Sequence, residues 1–209
     1  MKRIVKKPEP SVFRNWKQNG KPKNWKRFHR TTPIKKIVQT SLLDEQGHIC
    51  CFCECQVSTG GCHIAHFRDK FCNPSLALDY NNLHISCQET PKGIPNTCGH
   101  AQKNAVLPIS PLDADCEDRF LYTANGKIHP RKADDKDAYA TISILNLNTK
   151  RLVEFRKQAF QEVLRKRTIQ TPSDFLRWIN MELALVGGHY VEFWTVKQYV
   201  STMQLYTTP

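Results

Sequence analysis

Hydrophobic positions in this chain change period several times, and each change marks an element. Ile34, Ile37, Val38, Ser41, Leu42 and Leu43 recur at helical spacing up to Gln46. Thr32-Pro33 supplies a cap and a first-turn proline and Gly47 a stop, so a core-packed helix is expected over residues 33–46. Alternation then takes over: residues 62–67 read as a short strand and 83–87 as its partner, with a short helix from about Gly99. The loop between the strands carries Asp69, Lys70, Asn73, Pro74 and Asp79. Residues 119–128 read as a second hairpin, with Asn125-Gly126 expected as a type I′ turn. Asp134, Asp135 and Asp137 lack the Gly and terminal Glu of a calcium loop and read as a solvated helix start, followed by an apolar face over residues 138–147. Three helices are expected beyond it, at 152–167, 173–186 and 190–206. The first turns Leu152, Phe155, Ala159, Val163 and Leu164 inward and Arg156, Lys157, Arg165, Lys166 and Arg167 outward. The aromatic residues of the last two are core, with any surplus on one face a partner-binding surface.

These elements describe an α+β protein in four parts. Residues 1–32, with three prolines, many charges and weak periodicity, form a basic and largely extended arm. A core follows at 33–104, a connector and hairpin at 105–148, and a helical subdomain at 149–209.

Composition narrows the class. At 209 residues, 40% hydrophobic and 24% charged, the chain suits a soluble globular protein. No apolar run approaches the roughly 18 residues of a membrane span. The basic opening, Met1 to Lys7, has no apolar segment behind it, so a cytoplasmic location is expected. Residues 1–36 hold thirteen Lys or Arg against the single acid Glu9, which accounts for the whole net charge of +12. Interleaved with Trp16, Trp25 and Phe28, that charge suits nucleic acid, with cations for phosphate and rings for bases, or an acidic protein partner.

Nine cysteines in a chain without a secretory leader point to thiolate metal ligands rather than disulfides. Cys50-x-x-Cys53 is a zinc half-site, and Cys87 with Cys98 is the best second pair, although ten residues separate them and Cys51, Cys55 and Cys62 remain alternatives. Cys116 has no partner at ligand spacing and reads as a small buried residue. Within the cysteine frame lie His66, Asn82 and His100-x-x-Lys103, which the hairpin and helix would bring into one pocket. Phosphodiester cleavage needs a base for water, a divalent metal on the phosphate, and groups that hold both in line. His66 suits the base, Asn82 can orient its ring or lend a neutral oxygen, His100 suits a metal, and Lys103 one turn on suits phosphate.

That order of Cys50-x-x-Cys53, His66, Asn82, Cys87, Cys98 and His100-x-x-Lys103 resembles the HNH, or ββα-metal, endonucleases. The stretches Leu42-Leu43-Asp44-Glu45-Gln46-Gly47, Ile64-Ala65-His66-Phe67-Arg68, Asn82-Leu83-His84-Ile85-Ser86-Cys87 and Ile109-Ser110-Pro111-Leu112-Asp113-Ala114-Asp115-Cys116 resemble, more narrowly, the PtuB-like HNH proteins of Septu and retron antiphage systems. The resemblance covers roughly residues 33–160 and also the short basic N-terminal opening, and it implies a small ββα-metal core with a structural zinc at Cys50, Cys53, Cys87 and Cys98. It implies His66 as general base, with Asn82 and His100 completing the catalytic set and Mg²⁺ or Mn²⁺ as catalytic metal. It also implies a PtuA-like ABC-type ATPase as partner and, in a retron, a reverse transcriptase with its DNA–RNA product. Two departures stand out: Ala65 occupies the place where many relatives carry an acidic metal ligand, and Cys98-x-His100 is one residue looser than the usual adjacent pair. A methyl cannot bind Mg²⁺, so the metal must lean on His63, Asp69, Asn82 or His100. Cleavage of structured RNA such as tRNA, and a non-catalytic zinc module that binds nucleic acid or an ATPase, are the competing readings.

Overall fold

In the structure, a computed structural model, residues 1–19, 24–88 and 91–203 are described. The first 32 residues depart from the extended arm expected of them. Helices α1 (Ser11–Gln18) and α2 (Trp25–Arg30) form there and pack on α3 (Thr32–Gln46). Phe13 and Phe28 are fully buried with ring centroids 5.2 Å apart. The pairs Phe13/Trp16 and Trp25/Phe28 each sit three residues apart, so one short turn of helix puts both members on one face. Prolines and charge obscure that spacing in the sequence. The first residues are extended but not free: Met1 and Ile4 are buried, and the Ile4 N–H donates to Pro111 O at 2.8 Å.

Helix α3 buries Val38, Leu42 and Leu43, each contributing about 1.5–3 kcal/mol by leaving water. It ends at Gly47, whose φ of 61° is left-handed. Glycine is required there twice over, because a Cβ would meet the Tyr190 ring at 2.2 Å. The chain then enters the cysteine-rich turn and the antiparallel hairpin of β1 (Cys62–His66) and β2 (Leu83–Cys87), registered with His66 opposite Leu83 and Cys62 opposite Cys87. Helix α4 (Cys98–Gln102) packs on β2.

The second hairpin, β3 (Phe120–Tyr122) with β4 (Ile128–Pro130), is present with a different turn from the one expected. Only Gly126 has positive φ there; a type I′ turn needs two such residues. Asn125 Oδ1 instead accepts from Thr123 Oγ1 and the Lys127 N–H, which keeps Asn125 on the negative-φ side and lengthens the loop. Asp135 caps α5 (Lys136–Ile144) by accepting from the Ala138 N–H, the expected use of that acidic cluster.

Helices α6 (Lys150–Ile169), α7 (Pro172–Leu183) and α8 (Trp194–Thr202) complete the fold, α8 packing on α6, α7 and β3. The last helix starts four residues later than expected, after Phe193 at φ 54°, and residues 204–206 of the expected span lie outside those described. Two positions of α6 exchange roles. Phe155, expected inside, is 38% exposed. Arg156, expected outside, is 3% exposed, and its guanidinium donates to Gly126 O and Leu147 O. Both carbonyls lie in turns outside the helix that carries Arg156, and a planar guanidinium fork can satisfy the two at once. One continuous set of buried side chains runs from Met1 to Val200. No helix among the described residues is long and apolar enough to cross a membrane.

Candidate functional site

Two sites flank the first hairpin. At its open end, Cys50, Cys53, Cys87 and Cys98 converge, with ligand atoms all within 4.8 Å of one another. The left-handed Glu54 and Cys98 (φ 65° and 57°) turn the chain sharply enough to aim the thiols inward. Cys53 Sγ lies 3.3 Å from Cys87 Sγ, and the Cys87 N–H donates to Cys50 Sγ at 3.4 Å. Burial disfavours a thiolate at Cys50, but hydrogen bonds from Cys51, Cys53, Cys87 and Cys98 outweigh it and hold Cys50 well below the ordinary thiol range. Hydrogen bonding to Cys50 pushes Cys53 and Cys98 well above it. Four cysteine sulfurs this close together, three of them buried, are the soft tetrahedral donor set that zinc takes, so the residues fit that ion. Among the described residues this is the one cluster of three or more His, Cys, Asp or Glu able to hold a metal. Cys51, Cys55 and Cys62 are not part of it, and Cys116 is buried beside Met1 O and Pro111 O as a packing residue.

The second site is a cavity of about 610 Å³ on the hairpin's flank, lined by His63, His66, Asp69 and Lys70 from β1 and its following loop, by His100 of α4 and by Lys103 just past the end of that helix. The rings of His63 and His100 lie 4.0 Å apart, and His63 Nδ1 and His100 Nε2 are buried without a hydrogen-bond partner. Burial first, and the neighbouring His100 second, push His63 down to about 4, so its ring is neutral and offers a lone pair. His66 Nε2 lies 3.1 Å from Ala77 O. A carbonyl only accepts, so Nε2 carries the proton and Nδ1 the lone pair. Burial, assisted by Lys70, pushes His66 down to about 4 against the opposing bond to Ala77.

Not every expected site residue faces this cavity. Asn82 is buried at the base of β2; its Oδ1 accepts from the Arg68 N–H at 2.7 Å, and its amide donates to Arg68 O and Leu76 O at 2.9 and 3.0 Å. Its amide is spent on the loop that carries Asp69 and Ala77, so it shapes the walls of the cavity and neither orients the His66 ring directly nor lends an oxygen to its interior. Asp69 lines the cavity, but its Oδ1 accepts from the N–H groups of Phe71 and Cys72 at 2.9 and 3.0 Å. Burial alone would raise this carboxyl, yet those N–H groups hold it below the usual range. Ala65 is buried against Gly99: a Cβ on Gly99 would lie 2.8 Å from His63 Nε2, 3.0 Å from Ala65 Cβ and 3.1 Å from Ser86 Oγ.

Two contributors carry no motif signal. Trp25 of α2 meets the His66 ring edge-on with centroids 4.2 Å apart, and Lys70 lines the cavity floor beside it. Trp25 was marked in the sequence only by its basic neighbours; nothing local says that it folds back across forty residues.

The fold and these two sites define a small α+β protein in which a hairpin and a short helix hold a histidine-lined cavity beside a four-cysteine knuckle. No family model matches the chain. A protein named "Retron Vc95 putative HNH endonuclease" from Vibrio cholerae serotype O1 biovar El Tor is 31% identical over 144 residues, covering 65% of this chain and 69% of that one. The chain belongs to the HNH endonuclease family.

Proposed function

We propose that this protein is a metal-dependent HNH endonuclease that hydrolyses phosphodiester bonds of nucleic acid as the effector of a retron- or Septu-type antiphage system. The observation that carries the reading is the meeting of His63, His66, His100, Lys70 and Lys103 in one cavity beside the cysteine knuckle. In this reading β1, β2 and α4 are the ββα-metal core and zinc at Cys50, Cys53, Cys87 and Cys98 is structural. His66 Nδ1 takes the proton from the attacking water, held in that tautomer by Ala77 O. Lys103 and Lys70 hold the phosphate by charge. His63 and His100 are the residues that fit a catalytic cation, with Asp69 within the same cavity. Such a cation, when bound, polarises the phosphate and stabilises the leaving oxygen. The protein acts with a PtuA-like ABC-type ATPase, and in a retron with the reverse transcriptase and its DNA–RNA product; the relative's retron name supports that setting.

Ala65 supports a second reading, a non-catalytic zinc subunit, because it removes an oxygen ligand from the cation. Incubating purified protein with Mg²⁺ or Mn²⁺ on plasmid DNA and on total tRNA separates the readings. Cleavage of either substrate by the wild type, lost in His66→Ala, is expected, and the substrate that is cut decides between DNA and structured RNA. Identical patterns from the two proteins would remove the catalytic reading.

A further inference from the structure

A second cavity adjoins the first on the Trp25 side of His66. Beyond the Trp25 ring lies a cleft of about 780 Å³ whose walls include Trp25, Phe71, Pro74 and Leu78, and whose rim carries Lys26, Arg30 and Lys70. Lys70 and Phe71 line both cavities, so the two are adjacent. The volume falls in the range of sites that take a small molecule or a single nucleotide.

Phe71 is the feature of this cleft that packing does not explain. It is 79% exposed, the most exposed of the large apolar side chains among the described residues. The loop that carries it is well fixed, because Asp69 Oδ1 accepts from the N–H groups of Phe71 and Cys72. The backbone therefore holds an apolar ring out in water instead of letting it turn in. Lys70 Nζ sits 4.7 Å from the centre of that ring and 5.8 Å from the centre of the Trp25 ring, a cation set between two aromatic faces. Of the four aromatic residues in the first 36, Phe13 and Phe28 are buried and Trp16 packs on Phe13, while Trp25 alone of them lines the cleft.

We propose that the Trp25–Phe71 cleft is a subsite for one unpaired nucleobase of the nucleic-acid strand whose phosphate lies at His66. The proposal rests on the nuclease reading for its place in the reaction, but its chemistry stands on the cleft itself. Aromatic walls offer faces on which a base stacks without regard to sequence, and Lys26, Arg30 and Lys70 match the flanking phosphates. A base within a duplex has both faces covered by its neighbours. The occupant is therefore a nucleotide in a single strand, a loop or a flipped-out position.

The test is fluorescence anisotropy on the full chain, with no divalent cation added. It uses a labelled 12-nucleotide strand as DNA, the same strand as RNA, and the DNA duplex. Phe71→Ala should weaken binding of at least one single strand by about 5- to 150-fold, the range that one stacked base is worth, with duplex binding changed less than about twofold. Phe71→Trp should restore it, and the strand that loses most identifies the sugar. Because Phe71 is largely exposed, its replacement leaves the core untouched. No single-strand binding, an equal loss for duplex, or no loss in Phe71→Ala overturns the subsite. The nuclease reading fails separately: a single-strand preference that depends on Phe71, in a protein that cleaves nothing, keeps the subsite and removes the nuclease.

Discussion

His66 Nε2 and Ala77 O stand 3.1 Å apart, which joins the histidine of β1 to a loop eleven residues on and settles which ring nitrogen is free. Since that loop is in turn tied by Asn82 to Leu76 O and Arg68, the His66 ring is held by a chain of three contacts. His66→Ala should reduce cleavage by about 10²- to 10⁴-fold, the usual contribution of a general base. The pH dependence follows from burial. With the ring's pKa pushed down to about 4, His66 stays unprotonated from pH 8 to pH 6, so the rate should show no acid limb at the ordinary histidine value. A limb centred near 6.5 would contradict the assignment. Folded His66 and His63 bind fewer protons than the unfolded chain between about 4 and 6.5, so stability falls as pH falls through that window. His84, buried and driven well below its ordinary value, adds to the same trend. Thermal melts from pH 7.5 to 4.5 would check it.

The cysteine knuckle predicts one zinc per chain by metal analysis. Cys50→Ser/Cys53→Ser should lose it, along with at least about 3 kcal/mol of stability, since a structural zinc contributes directly to folding. Unchanged zinc and an unchanged denaturation midpoint would mean that the four thiols are a packed cluster and nothing more.

The imidazole pair makes a separate prediction about the second cation. His63 and His100 offer nitrogen where Ala65 withdraws oxygen, and nitrogen donors favour Mn²⁺ or Co²⁺ over Mg²⁺. Calorimetric titration with Mn²⁺ should show a site that His63→Ala weakens by about tenfold or more, with the zinc content unchanged. Equal Mn²⁺ affinity in the variant would remove His63 from the ligand set. Tighter binding of Mg²⁺ than of Mn²⁺ would point instead to an oxygen site around Asp69.

What the sequence made legible divides along a physical line. The hairpin and the helix over 33–46 follow from local period and the Cys50-x-x-Cys53 half-site from ligand spacing, whereas Cys87 and Cys98, ten residues apart, are joined to it by the fold. The contacts that were missed are long-range or depend on unmet carbonyls. Arg156 reads as one more cation on a basic helix face, because the carbonyls of Gly126 and Leu147 that draw it inside lie outside its own helix. Trp25 reads as part of an extended arm, because the surface it meets is built by a histidine far along the chain. Asn82 reads as a member of the catalytic set, but its partners in the structure are backbone groups that no motif reveals.

Gly99 provides the sharpest test of whether the cavity depends on how closely α4 approaches the hairpin. Its N–H donates to Ser86 Oγ at 3.0 Å, and it has no room for a methyl. A Cβ at 2.8 Å from His63 Nε2 and 3.0 Å from Ala65 Cβ must push α4 away or rotate the His63 ring. Either movement separates His63 from His100, while the three other knuckle cysteines, Cys50, Cys53 and Cys87, lie outside α4. Overpacking of this kind costs about 1–3 kcal/mol. Gly99→Ala should therefore retain its zinc, melt at a lower temperature, and lose at least tenfold in both Mn²⁺ affinity and cleavage, on the order of what a displaced ligand shell costs. Serine has the same Cβ and should behave alike. If Gly99→Ala cleaves at the wild-type rate, the His63–His100 contact is not part of the working site, and the cation must be held from the Asp69 side of the cavity.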